Sequence, residues 1–151
     1  MGRRSSIIGA LMLATLVGCG SPEKTQSVER ETSHLRWLIR LYTHARQRGQ
    51  APQSEQEFKQ FMQSMDRAAL DRTLAAAHVT SIDELFISER DGLPYVIFYG
   101  QRPTGVANDL VAFEQTGVGG TRYVGYGLGI VEEVDEQRFK ELVPPASRPM
   151  K

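Results

Sequence analysis

The chain has 151 residues, with eighteen basic and eighteen acidic side chains, three histidines and a single cysteine. Balanced charge leaves no excess to pull on nucleic-acid phosphates, and no contiguous polybasic block faces anionic lipid, so nucleic acid is excluded as a partner. One cysteine cannot build an internal disulfide or a thiolate metal site, and the length suits one domain with a real core.

Arg3 and Arg4 give the start of the chain a positive charge. Residues 7–17 are mostly apolar, broken only by Gly9 and Thr15. A membrane-spanning helix needs about 20 apolar residues, so this run is too short to remain as one. A charged start, a short apolar run and small residues at its end describe a secretory signal. The end, Leu16-Val17-Gly18-Cys19, resembles a bacterial lipoprotein signal at all four positions of its pattern. The resemblance implies a diacylglyceryl group on the thiol of Cys19, cleavage after Gly18, and acylation of the new amine. A chance cysteine at the end of an ordinary signal or a buried apolar segment is the plainer alternative. One acyl chain holds a protein to a membrane only marginally, whereas two or three hold it stably. Residues 20–27 are polar and short, as a tether should be. Gly20 after the cysteine favours an outer-membrane destination by resemblance to known sorting patterns. Loss of residues 1–18 leaves sixteen basic side chains against eighteen acidic ones. With Cys19 modified, no thiol is left for chemistry.

Residues 28–48 read as a first helix, with Leu35, Leu38, Ile39, Leu41, Tyr42 and Ala45 on one broad stripe. Arg46 and Arg48 suit its negative end, Gly49 stops it, and Pro52 follows. The segment is rich in Arg, His and aromatic residues. Its basic side is expected in water, with an acidic partner as the alternative. Ser54 and Glu57 form a capping box ahead of Phe58, Phe61, Met62 and Met65 at helical spacing. That stripe is expected to pack into the core, and a greasy ligand groove is the alternative. Asp66 is expected to cap a second helical piece running to Ala77, with Leu70 and Leu74 inward. Thr80-Ser81 breaks the chain before a short turn at residues 82–85.

The period then changes. Residues 85–87 are a short strand candidate, Asp91-Gly92 is a turn pair, and residues 95–99 are the strongest strand, being all aromatic or β-branched. Pro94 suits a strand start. Residues 110–114 are a strand. Thr116-Gly117-Val118-Gly119-Gly120 supplies a hairpin turn, residues 122–126 return antiparallel, and Gly127-Leu128-Gly129 makes a second tight turn or bulge. Residues 130–134 are the last strand. Asp135 caps a short helix with Phe139, Leu142 and Val143 inward, ended by Pro144-Pro145. Helices followed by strands imply an α+β fold: N-terminal helices on a three- to four-stranded antiparallel meander, then a short C-terminal helix. The division is therefore residues 1–18 signal, 19–27 lipidated tether, 28–143 one domain and 144–151 tail.

Candidate chemistry is sparse. His34 and His44 are ten apart and do not share the geometry of a helical metal pair. His34 with Glu31, or His78 with Asp71, could each begin a ligand set, but neither has a third partner at fitting spacing. Glu132, Glu133, Asp135 and Glu136 form an acidic cluster without the alternating ligands and central glycine of a calcium loop. The glycines from 117 to 120 could cradle an anion, yet they lack the lysine of a phosphate-binding loop, and a hairpin turn accounts for them.

A long first helix on an antiparallel meander resembles the globular part of type II pseudopilins. The ending resembles a group of planctomycete pilin-like proteins, whose signature is a His, nine residues, then Asp-Gly-His-Val. Gly129 and Val131 match, but Val118, Leu128 and Ile130 replace His, Asp and His. Asp91-Gly92-Leu93-Pro94-Tyr95-Val96 is similar to an Asp-Gly-x-Pro-Tyr approach to a strand in secreted planctomycete proteins. The resemblance covers residues 28–143 and implies no catalytic residue. The first helix, with Glu29, Arg30, Glu31, Arg36 and Arg40, is too charged for a filament core, so a lipid anchor would replace the filament helix. The expectation is a non-enzymatic, lipid-anchored envelope protein, periplasmic or on the outer-membrane side. It would be held to a membrane through Cys19, act on an envelope protein partner, and use no cofactor and no metal. A small-ligand-binding lipoprotein, with a pocket between the first two helices and residues 95–99, is the alternative.

Overall fold

The computed structural model describes residues 30–100 and 105–145. The expected signal, Cys19, the tether and residues 146–151 lie outside the described residues. The fold is α+β. Helices α1 (Ser33–Gln47), α2 (Glu55–Gln63), α3 (Arg67–Ala76) and α4 (Ile82–Leu85) come first in the chain. Strands β1 (Val96–Ile97), β2 (Leu110–Phe113), β3 (Thr121–Tyr126) and β4 (Ile130–Asp135) follow, then α5 (Glu136–Leu142). The strands form one sheet in the order β1-β2-β3-β4, with every neighbouring pair antiparallel.

Four helices begin where a side-chain oxygen takes an orphan amide. Ser54 accepts from the Glu57 N–H, Asp66 from Ala69, Ser81 from Glu84 and Asp135 from Arg138. Each such cap is worth about 1 kcal/mol. The Glu57 carboxylate returns its bond one residue earlier than a standard capping box requires, to the Gln53 N–H at 2.8 Å. Glu84 likewise accepts from the Thr80 N–H at 2.8 Å. This second box explains why residues 85–87 are not a strand. The helix capped by Ser81 runs from Ile82 through Leu85, and Phe86 closes it, leaving Ile87 only one bridge, to Pro94.

The sheet separates two apolar cores. On one face lie Leu35, Leu38, Ile39, Tyr42, Phe58, Met62, Leu85, Phe86, Tyr95, Ala112 and Tyr123. On the other lie Phe98, Leu110, Phe113, Val124, Val134, Phe139 and Leu142. Burying a Leu, Ile, Met or Phe side chain is worth about 1.5–3 kcal/mol, so α1 is tied down mainly by its buried stripe. Strand β2 serves both cores, and a register shift between Leu110 and Ala112 accompanies the placing of the consecutive Val111 and Ala112 in the same core. Ala112 pairs with Gly125 under α1. A side chain at Gly125 would run into Ile39, so these two small residues let the helix lie close to the sheet.

Residues 95–99 form less strand than their composition suggests. Only Val96 and Ile97 pair, with Phe113 and Ala112. The run is an edge with a partner on one side. Its next residue, Phe98, still donates to the Val111 carbonyl at 2.9 Å, and the chain turns at Gly100 with φ +63°.

Candidate functional site

The most elaborate polar cluster is built on the loop at residues 88–91, where four consecutive side chains reach four different elements. Ser88 donates to Glu114 at 2.9 Å, just past the end of β2. Glu89 reaches the start of α1, accepting from the Ser33 hydroxyl at 2.8 Å and the His34 N–H at 3.2 Å. That contact matters because Thr32, before α1, gives the helix no side-chain cap of its own. A carboxylate from a loop 55 residues away supplies both the acceptor and the negative charge that a helix start favours. Arg90 donates to Glu114 at 2.9 Å, to Glu133 on β4 at 2.7 Å and to the Thr121 carbonyl at 2.8 Å. Its guanidinium lies 4.1 Å from the centre of the Tyr123 ring. Asp91 accepts from the N–H groups of Leu93 at 3.1 Å, Thr116 at 3.3 Å and Gly117 at 3.0 Å, and so fixes the β2–β3 hairpin turn.

Glu114 is the centre of this cluster. It is 0% exposed and accepts from Ser88, Arg90 and, at 2.7 Å, the Tyr123 N–H. A buried carboxylate must be paired and hydrogen-bonded, and these three donors do both. Around it, burial works against the charge on Asp91, but the three backbone donors hold its carboxyl below the usual range. Glu133 is held low by the Thr121 hydroxyl and by Arg90. For Arg90, burial opposes the charge and Glu133 and Glu114 outweigh it, raising the guanidinium further. Chemically the cluster is a clasp. The Ser88 hydroxyl donates to Glu114 and accepts from the N–H groups of Arg90 and Asp91, so no lone pair is poised for attack.

The sequence-level candidates fall elsewhere. Cys19 lies outside the described residues. His34 is not beside Glu31. Its Nδ1 donates to the Ile87 carbonyl at 2.8 Å, its Nε2 is 3.6 Å from Glu89, and Glu31 approaches the Tyr123 hydroxyl instead. Asp71 pairs with Arg67 rather than His78. Among the described residues, no three His, Cys, Asp or Glu side chains come together as a metal site would require. The acidic run is divided among four tasks. Glu132 accepts from Tyr126, Glu133 from Arg90, Asp135 caps α5, and Glu136 pairs with Arg122. Burial and Glu132 together push the Tyr126 hydroxyl up to about 12. Between the first two helices and residues 95–99 the side chains close on one another. Tyr42 meets Phe58 edge-on at 5.4 Å and donates to the Phe98 carbonyl at 2.9 Å.

Two of the larger clefts border the outer side of α1. One cleft of about 590 Å³ is lined by Arg30, Ser33, Arg36, Trp37, Arg40 and His78, among others. A second, of about 610 Å³, is lined by Thr43, Arg46, Gln47, Asp109, Leu128 and Ile130, among others. Among the described residues the exposed large apolar side chains are Val118, Leu128 and Ile130, the three positions at which the pilin-like signature would carry polar residues. No protein-family model, curated protein or solved structure matches the chain.

Proposed function

We propose that the protein is a lipid-anchored envelope protein whose small pilin-like domain acts by contact rather than by catalysis. Cys19 carries the lipid after cleavage behind Gly18, and residues 20–27 tether the domain to the membrane. The observation that carries the reading is the sequence Leu16-Val17-Gly18-Cys19 behind a basic, then apolar, leader. Two further features support it. The long helix α1 lies against an antiparallel meander, as in the globular part of pseudopilins. The polar cluster at residues 88–91 and 114 spends its groups on holding elements together. The partner on this reading is another envelope protein.

The test is a Cys19→Ser variant followed by membrane fractionation, with the pellet washed in about 1 M salt. At that ionic strength the screening length is ~3 Å, so only lipid or tight protein contacts survive. The variant is expected in the soluble fraction with its fold intact. A variant that is exported and processed yet stays in the washed membranes overturns the proposal.

The small-ligand reading has one feature in its favour, the arginine-lined cleft beside Trp37. Trp37 is the only tryptophan. A panel of small anions that leaves its fluorescence unchanged removes that reading.

A further inference from the structure

We propose that the outer face of α1, with the Gly127–Gly129 turn beside it, lies directly on an anionic phospholipid surface and so orients the domain. This goes beyond the lipid anchor, and only the reach of the tether rests on that anchor.

The face is basic. From Thr32 to Ser54 the chain contains no Asp or Glu, but it contains Arg36, Arg40, Arg46 and Arg48. Arg36 and Arg40, one turn apart, share the outer side of the helix; Arg46 lies about a third of a turn round from Arg40, and Arg48 follows the last helical residue. Arg36, Arg40, Thr43 and Gln47 recur at steps of three and four, opposite the buried stripe. Elsewhere most of the described arginines are matched: Arg67 with Asp71, Arg90 with Glu114 and Glu133, Arg122 with Glu136, and Arg138 with Glu141, with the exposed Arg72 as the exception. Among the described residues, none of Arg30, Arg36, Arg40, Arg46 and Arg48 pairs with a carboxylate. Asp109 is the one carboxylate lining either cleft on this face.

Apolar side chains flank the arginines. Leu128 is 69% exposed and Ile130 60% exposed, and both border the same cleft as Arg46. The turn that carries them is pressed against the helix. A side chain at Gly129 would strike Arg40 and approach the Arg36 carbonyl. On the other flank Trp37 is half-buried, with the Arg40 guanidinium 5.0 Å from its ring centre. Arginines flanked by an indole and two exposed aliphatic side chains match a membrane interface. Phosphates meet the cations there, and the apolar groups enter the boundary below. An acidic protein surface would use the charge but leave Leu128 and Ile130 without a complement.

The tether is also short. Ten residues separate Cys19 from Arg30. They span at most about 35 Å fully extended, so a lipid on Cys19 keeps the start of α1 near the headgroups.

The test uses residues 20–151, which retain every described element and lack Cys19, so its outcome is independent of lipidation. The protein is mixed with vesicles of phosphatidylcholine alone or with phosphatidylglycerol added, and read by sedimentation and Trp37 emission. Binding to the anionic vesicles with a blue shift of Trp37, reversed by salt, is expected. The triple variant Arg36→Gln, Arg40→Gln, Arg46→Gln should partition roughly 100-fold more weakly, at about five-fold per basic residue near the surface. Leu128→Ser with Ile130→Ser should also weaken binding. Circular dichroism verifies that both variants fold. Failure to sediment with anionic vesicles, or equal binding by the triple variant, overturns the proposal. So does a Trp37 response to inorganic phosphate, at matched ionic strength, that equals the response to vesicles. That result would indicate a site for a free anion.

Discussion

Arg90 and Arg40 each lie over an aromatic ring, and their surroundings could hardly differ more. Arg90 covers Tyr123 and is held by Glu114, Glu133 and the Thr121 carbonyl. Arg40 covers Trp37 on the outer side of α1, a helix with no Asp or Glu of its own. The contrast separates two uses of one residue type. Where a guanidinium leaves water, its charge must be matched, and the matching groups tie distant parts of the chain together. Where it stays in water, the charge can remain unmatched at little cost and is open to something outside the molecule. The loop at residues 88–91 and the outer face of α1 are thus the inward and outward halves of the protein's charge.

Removing Glu114 is the strongest way to break that contrast. Glu114→Ala leaves Arg90, Ser88 and the Tyr123 N–H facing a hole, and the loss of one member of a buried ion pair costs about 3–5 kcal/mol. Urea unfolding measures this, and a change within 1 kcal/mol, small against that expectation, would make the cluster dispensable.

Asp91→Asn should cost less, about 1–2 kcal/mol, since the turn keeps one oxygen acceptor but loses the charge. It also carries a pH signature. Burial pushes the Asp91 carboxyl upward, but the N–H groups of Leu93, Gly117 and Thr116 win and hold it below its ordinary value. A group depressed in the folded state stabilises above its unfolded pKa of about 4, and that contribution is lost as pH falls through the folded value. The native protein should therefore lose stability below about pH 4. The Asp91→Asn variant should show a flatter acid limb in unfolding curves taken across that range.

The smallest effect is expected on the outward face. Arg36→Gln with Arg46→Gln should change stability by no more than about 0.5 kcal/mol per site, the usual range for a surface substitution, since Arg36 gives up only a long bond of 3.4 Å to the Thr32 hydroxyl. A loss comparable to that at Glu114 would erase the distinction between the two regions.

Local rules in the sequence reach most of the fold and little of the clasp. Ser54, Asp66 and Asp135 are readable as caps because a cap and its amide are three residues apart. The turn from Thr116 to Gly120 is readable because Gly117, Gly119 and Gly120 all take positive φ. Residues 95–99 mislead because aromatic and β-branched content speaks to fit on a sheet but not to how many neighbours a strand will have. Glu114 is invisible for another reason. Its partners Ser88 and Arg90 lie 26 and 24 residues away. As the last residue of an expected strand it looks like an ordinary charged end. The basic face of α1 is half visible. The arginines are plain in the sequence, but their lack of carboxylate neighbours depends on where every other acid goes.

The sheet's two edges carry a consequence for crowding. The β1 edge offers two paired residues between Pro94 and the turn at Gly100. The β4 edge carries Glu132, Glu133 and Asp135. A second copy laid antiparallel along β4 would set these carboxylates against their own equivalents, and a copy approaching β1 would find too little strand to extend. Many such domains gathered on one surface are thereby discouraged from joining strand to strand, so high local density does not by itself turn neighbours into a continuous fibre.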